Sequence, residues 1–178
     1  MKTNTQTSLP LLALVILSSL IACNVIPSDK SKTTSNDSLS IGIMLDSFNM
    51  AASNADYNGY FNYFDEDGVF MGTDASEHWD KAQFMVWAKP FFDRKKTWHF
   101  TSMQRHIFID PSHDIAWFDE LLDTQMKICR GSGVLKKVNN QWKIKQYVLS
   151  MTIPNALSDQ VTLLKSPIED SIRLQLLK

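Results

Sequence analysis

The run Ile115-Ala116-Trp117-Phe118-Asp119-Glu120-Leu121-Leu122 sets two adjacent carboxylates in the middle of an apolar stretch. In an extended chain successive side chains point to opposite faces, so one of the two must look inward. Burial disfavours the charged form and raises a carboxyl pKa, which suits the group to proton transfer. A buried carboxylate is equally served by a cation that pairs with it. Asp119 and Glu120 are therefore the catalytic candidates. The sequence leaves open which one faces inward, and whether it is a base or half of an ion pair.

Arg130 is the expected cation, because it opens the next strand across a short polar turn near 124–127. It either pairs with the inward carboxylate or clamps a ligand carboxylate or phosphate. Gln146 shares its alternation with Trp142, Ile144 and Val148, so a polar amide points the apolar way. Such a group needs a hydrogen bond, supplied by a ligand or by Arg130. By the same parity Tyr147 falls with Lys143 and Lys145 on the outer face. Asp74, His78 and Trp79 lie in one loop opened by Gly72-Thr73. There Asp74 either caps a turn with Glu77 or faces a ligand. Trp79 and Trp117 read as core residues or as apolar walls of a pocket. These six, Asp74, His78, Trp79, Trp117, Arg130 and Gln146, form the ligand-binding candidates.

Several chemistries find no support. His78, His99, His106 and His113 make no pair at metal-ligand spacing, and Cys129 has no companion. No glycine-rich phosphate loop and no nucleophile elbow occur. Neither a metal nor a cofactor is expected. The formal charge of −1 lacks the basic excess that a nucleic-acid surface needs.

The amino end has its own signature. Lys2 precedes an apolar run from Leu9 to Leu17, and small and apolar residues lead to Leu20-Ile21-Ala22-Cys23. Charge, short apolar core and small residues at the cut make a secretory signal, too short to span a bilayer. The last four residues resemble the lipobox of bacterial lipoproteins. That resemblance implies cleavage before Cys23, acyl chains on that cysteine, and a protein held in the bacterial cell envelope on a periplasmic or surface-exposed face. Two or three acyl chains suffice for stable anchoring. The expected organisation is a signal over 1–22, a flexible Ser/Thr/Asn/Lys-rich tether over 23–38, and one domain over 39–178.

The elements that position the candidates can be read from periodicity. Ile41, Met44/Leu45, Phe48 and Ala51/Ala52 predict a helix from Ser38 or Ser40. Asp56 caps a short second helix, and Asp80 with Gln83 forms a capping box for a third. Strands are expected over 69–71, 98–109, 115–122, 128–138 and 142–153, the last three as an antiparallel meander. Residues 157–177 form a final helix or two, interrupted at Pro167. The fold class is α+β, with helices on one face of a curved antiparallel sheet.

That order, together with Tyr60-Phe61 and Phe64 before Val69-Phe70, Gly72-Thr73-Asp74 with Trp79, Ala116 to Glu120, Cys129 to Leu135, and Trp142 to Tyr147 closing at Pro154-Asn155, resembles the SnoaL-like branch of the nuclear transport factor 2-like superfamily. The resemblance implies a cone: a strongly bent sheet whose mouth is closed by helices, enclosing a cavity. It also implies a homodimer through the outer face of the sheet. The superfamily holds isomerases, cyclases, dehydratases and non-enzymatic binders, so the fold leaves function open. Three readings follow. The first is a membrane-tethered binder of a small, partly apolar and anionic molecule. The second is an isomerase- or dehydratase-like enzyme using a cavity carboxylate as base. The third is a dimeric interaction protein with a vestigial cavity.

Overall fold

The computed structural model describes Met1 and residues 30–178, with side chains from Thr34 onward. The signal segment, Cys23 and the first part of the tether lie outside these residues.

Helix α1 (Lys30–Ser53) begins eight residues before Ser38, so most of the segment expected as flexible tether is helical. Its early turns are fixed to the sheet through Asp37. That carboxylate meets His113 at 3.0 Å and Lys137 at 2.8 Å. Against the push of burial, these two hold the Asp37 carboxyl below its ordinary value. A segment of polar composition is thus helical here, with Asp37 tying it to His113 and Lys137 across the fold.

Asp56 accepts from the Gly59 N–H to cap α2 (Tyr57–Asn62), and Tyr57 donates from its hydroxyl to Met85 O at 3.0 Å. Strand β1 (Phe64–Met71) carries a bulge over Asp65–Gly68, the four residues expected to be a turn. It pairs with a short strand β2 (His78–Asp80), which periodicity does not reveal in three residues. The capping box of Asp80 and Gln83 then opens α3 (Lys81–Asp93) as expected.

The remaining strands, β3 (Phe100–Ile109), β4 (Ile115–Thr124), β5 (Lys127–Val138) and β6 (Gln141–Met151), form an antiparallel meander. The six-stranded sheet has the order β2-β1-β6-β5-β4-β3, with β1 parallel to β6 and every other pair antiparallel. A 3-10 turn (Asn155–Leu157) leads into α4 (Ser158–Leu176). The expected α+β architecture is present, with α1, α2 and α3 packed on the concave face.

The interior is a cluster of aromatic rings. Phe48 stacks on Tyr60 at 4.4 Å and lies 5.6 Å from Tyr147, and Phe70 stacks on Phe84 at 4.1 Å. Gly131 and Gly133 face this interior on β5, opposite Glu120 and Phe118. A Cβ on Gly133 would sit 2.3 Å from Gln146 O and 2.8 Å from Phe118 Cε1. The two glycines let β5 pass close beneath the rings of Phe118 and Tyr147, where the sheet bends. Gly133→Ala should therefore destabilise the fold by about 1–3 kcal/mol, the ordinary cost of overpacking a core. Urea denaturation measures this, and an unchanged midpoint would refute the close approach.

Candidate functional site

Glu120 is the inward carboxylate. Strand β4 alternates so that Ala116, Phe118, Glu120 and Leu122 are buried while Trp117 and Asp119 face out. The cation that meets Glu120 is Arg105 from β3, not Arg130. Arg105 and Glu120 are register partners on neighbouring strands, which brings both side chains to the concave face. The Arg105 guanidinium donates from Nε to Glu120 Oε2 at 2.8 Å, from Nη1 to Gly42 O at 3.1 Å, and from Nη2 to Asp46 Oδ1 at 2.8 Å. The Tyr147 hydroxyl donates to Glu120 Oε1 at 3.5 Å. Burial pushes the Glu120 carboxyl up, and Arg105 opposes that rise without cancelling it. Burial likewise raises the Tyr147 phenol well above its ordinary value, and the charge on Glu120 adds to the rise.

Arg130 departs from expectation for a geometric reason. Its neighbours Cys129 and Gly131 are the buried residues of β5, so strand alternation turns Arg130 to the exposed outer face. Gln146 and Tyr147 exchange their expected roles. A bulge at Lys145 lies between the pairs Val134–Gln146 and Leu135–Ile144 and shifts the parity of β6. Trp142 and Ile144 point inward before it, Tyr147 and Leu149 after it, and Gln146 lies outside. Trp117 is also outside, half-exposed and stacked on Phe108 at 5.8 Å. Beside it Asp119 meets His106 at 3.1 Å on the same outer face. Asp74 is exposed and caps a turn: its Oδ1 accepts from the Ser76 N–H and hydroxyl, which hold its carboxyl low. His78 is exposed on β2.

Of the candidates, Trp79 alone lines the aromatic cavity that the fold leaves open. This cavity, about 330 Å³, lies where α3, the β1–β2 loop, residues 96–98 and the β4–β5 turn converge. Its walls are Phe70, Trp79, Phe84, Trp87, Phe91 and Trp98, together with Met126 and Leu149. The rings are arranged in near-parallel fashion: Trp79 lies 4.7 Å from Trp87 at 29°, and 5.7 Å from Phe84 at 8°. Polar atoms are few and come from Thr73, Glu77, Lys96, Thr97 and Gln125. Apolar spacing sets Phe84, Trp87/Ala88 and Phe91 on one face of α3, and the structure turns Trp87 and Phe91 of that set to the cavity wall. Helix α3 buries Phe84, Ala88 and Phe92 in the core, which leaves Trp87 and Phe91, one position earlier, to face the cavity. The neighbouring cluster of Trp79, Trp87 and Trp98 was the available signal.

Two features limit what this arrangement can do. Glu120 is sealed in the interior and does not line the aromatic cavity; Asp119 lies across the sheet from it. Glu77 is the carboxylate in the cavity wall, and its Oε2 accepts from the Asp74 N–H at 3.2 Å. Among the described residues no group of three or more histidine, cysteine, aspartate or glutamate side chains could hold a metal. The geometry suits enclosure of an apolar, flat-sided molecule more than proton transfer at a buried carboxylate.

A bent mixed sheet with helices on its concave face is the nuclear transport factor 2-like, cystatin-like fold, and solved structures superpose on it. An NTF2-like protein of unknown function from Pseudomonas putida KT2440 aligns with a TM-score of 0.57 at 14% identity, covering 68% of this chain and 90% of that one. A protein of unknown function with a cystatin-like fold from Nostoc punctiforme gives 0.54 at 16%, covering 66% and 92%. A proposed dehydratase of the NTF2-like family from Streptomyces avermitilis gives 0.56 at 12%, covering 68% and 99%. Residues 41–154 match the SnoaL-like domain, and the chain belongs to that family. No curated protein matches it.

The Arg105–Glu120 pair generates a pH-dependent expectation. Arg105→Ala leaves Glu120 buried without its cation and should cost about 3–5 kcal/mol at neutral pH. The orphaned carboxyl then has a still higher folded pKa. The folded state therefore gains stability as Glu120 is protonated, and the deficit should shrink towards acid pH. Denaturation at pH 5 and pH 8 checks this; a deficit independent of pH would refute a buried ionised Glu120.

Proposed function

We propose that this protein binds a small, largely apolar molecule in the aromatic cavity bounded by Trp79, Trp87 and Trp98, while lipid on Cys23 anchors it to a membrane of the bacterial cell envelope. The observation that carries the reading is the cavity itself. Its size falls within the range of small-molecule sites, and its wall is mainly aromatic with a few convergent polar groups. Lys96 is the cavity's basic side chain and would receive an acidic group on the ligand, the role first expected of Arg130. The buried carboxylate is committed to Arg105, which favours binding over an isomerase-like reaction. In this reading the outer face of the sheet, where Trp117 and Phe108 stack in the open, joins two copies into a dimer.

Two measurements test the proposal. The fluorescent probe anilinonaphthalene sulfonate, aromatic and anionic, should bind the full chain, and Trp87→Ala should weaken it by about tenfold, the equivalent of one good aromatic contact. Equal affinity in wild type and variant would rule the cavity out as the site. Native mass spectrometry of the chain extracted from its own cells should show acyl mass on a protein beginning at Cys23. An unmodified chain beginning elsewhere would overturn the anchor.

A further inference from the structure

Helix α4 lies outside the part of the chain that matches the family, which ends at residue 154. It is 19 residues long, and none of its side chains is buried. Leu157, Val161, Leu164, Ile168 and Ile172 recur at the three-and-four spacing of one helical face. Leu164 and Ile168, at its centre, are 78% and 68% exposed. Pro167 stands inside the helix and removes the backbone donor that would meet Leu163 O. It divides α4 into two halves of about nine residues, each shorter than an isolated helix needs to persist in water. An apolar stripe on such a helix requires a covering surface.

We propose that the α4 stripe is covered by α4 of a second copy, in an antiparallel pair centred near residues 166–167. Charge complementarity favours this occupant. Lys165 and Glu169 flank the stripe on one side, four residues apart, and within one helix they pair at 2.8 Å. Antiparallel pairing about that centre sets Lys165 of each helix across from Glu169 of the other. The stripe is thus self-complementary, as a two-fold contact demands. A lipid surface fits less well. The helix balances Lys165 and Arg173 against Asp159, Glu169 and Asp170, with none of the basic excess that draws helices to anionic membranes. Its root also lies at the opposite end of the sheet from Asp37 in the early part of α1. Strand β6 ends at Met151 opposite Cys129, beside the β4–β5 turn, whereas the start of α1 is held at the other end of the sheet by His113 and Lys137.

The test uses the full chain in detergent. Leu164→Cys and Ile168→Cys proteins are prepared separately, mixed and oxidised, with Ser166→Cys, near the same centre on the opposite face, as control and the unsubstituted chain as background. The mixed Leu164–Ile168 disulfide dimer should form at least tenfold faster than the Ser166 dimer. Leu164→Glu with Ile168→Glu should lower helical circular dichroism and weaken self-association in sedimentation at least tenfold. Cross-linking no faster than control would overturn the proposal. So would a cross-link of Ile168→Cys to Trp117→Cys in preference to Leu164→Cys, which would put the helix on a sheet face. Ordering of α4 only when liposomes are added would overturn it in favour of a lipid surface. Trp117→Arg disrupts the sheet-face dimer without touching the stripe, so failure of either contact can be told from failure of the other.

Discussion

The guanidinium of Arg105 holds the concave side of this fold together. It reaches Glu120 on the neighbouring strand, the main-chain oxygen of Gly42, and the carboxylate of Asp46. Glu120 is fully buried, and a carboxylate so placed without a cation would cost the fold several kcal/mol. The same cation fixes helix α1 against β3 and β4, so the helix that covers the interior is placed by an ion pair as well as by its apolar stripe. Tyr147 above Glu120 and Gly131 beneath it complete a tightly filled centre.

A filled centre shifts attention to the mouth of the cone. The rings of Phe48, Tyr60, Phe64 and Tyr147 occupy the depth of the fold, and the open aromatic cavity lies beyond them, between α3 and the β1–β2 loop. Chemistry at a carboxylate would need that group, a substrate and a route for water in one place. Here the raised carboxyl and the open cavity are separate. The shared fold is host to many activities and does not choose among them. The division between a sealed ion pair and an open aromatic wall is what the proposed binding function rests on.

Much of this could be read in the sequence because it depends on local rules. The N-cap of α2, the capping box of α3, the apolar stripe of α1, the long strands and their turns all follow from side-chain periodicity and backbone preference over a few residues. That one of the two adjacent carboxylates faces inward also followed, since alternation forces one of Asp119 and Glu120 to do so; its pairing with a cation was one of two readings left open. The identity of the cation did not follow. Arg130 is nearer in sequence, but the register between β3 and β4 brings Arg105 to Glu120.

Sequence by itself determined the fold class, the order of the helices and long strands, and the kind of residue that must line the interior. Tertiary structure decided which faces those residues occupy. One extra residue at Lys145 reversed the outward and inward sides of β6, exchanging Gln146 and Tyr147. One carboxylate, Asp37, ties the polar early part of α1 to His113 in the β3–β4 turn and to Lys137 on β5. Trp87 and Phe91 became cavity walls because α3 settled on Phe84, Ala88 and Phe92 instead. Each outcome turns on contacts between residues far apart in the chain, where register, bulges and ion pairing outweigh local preference.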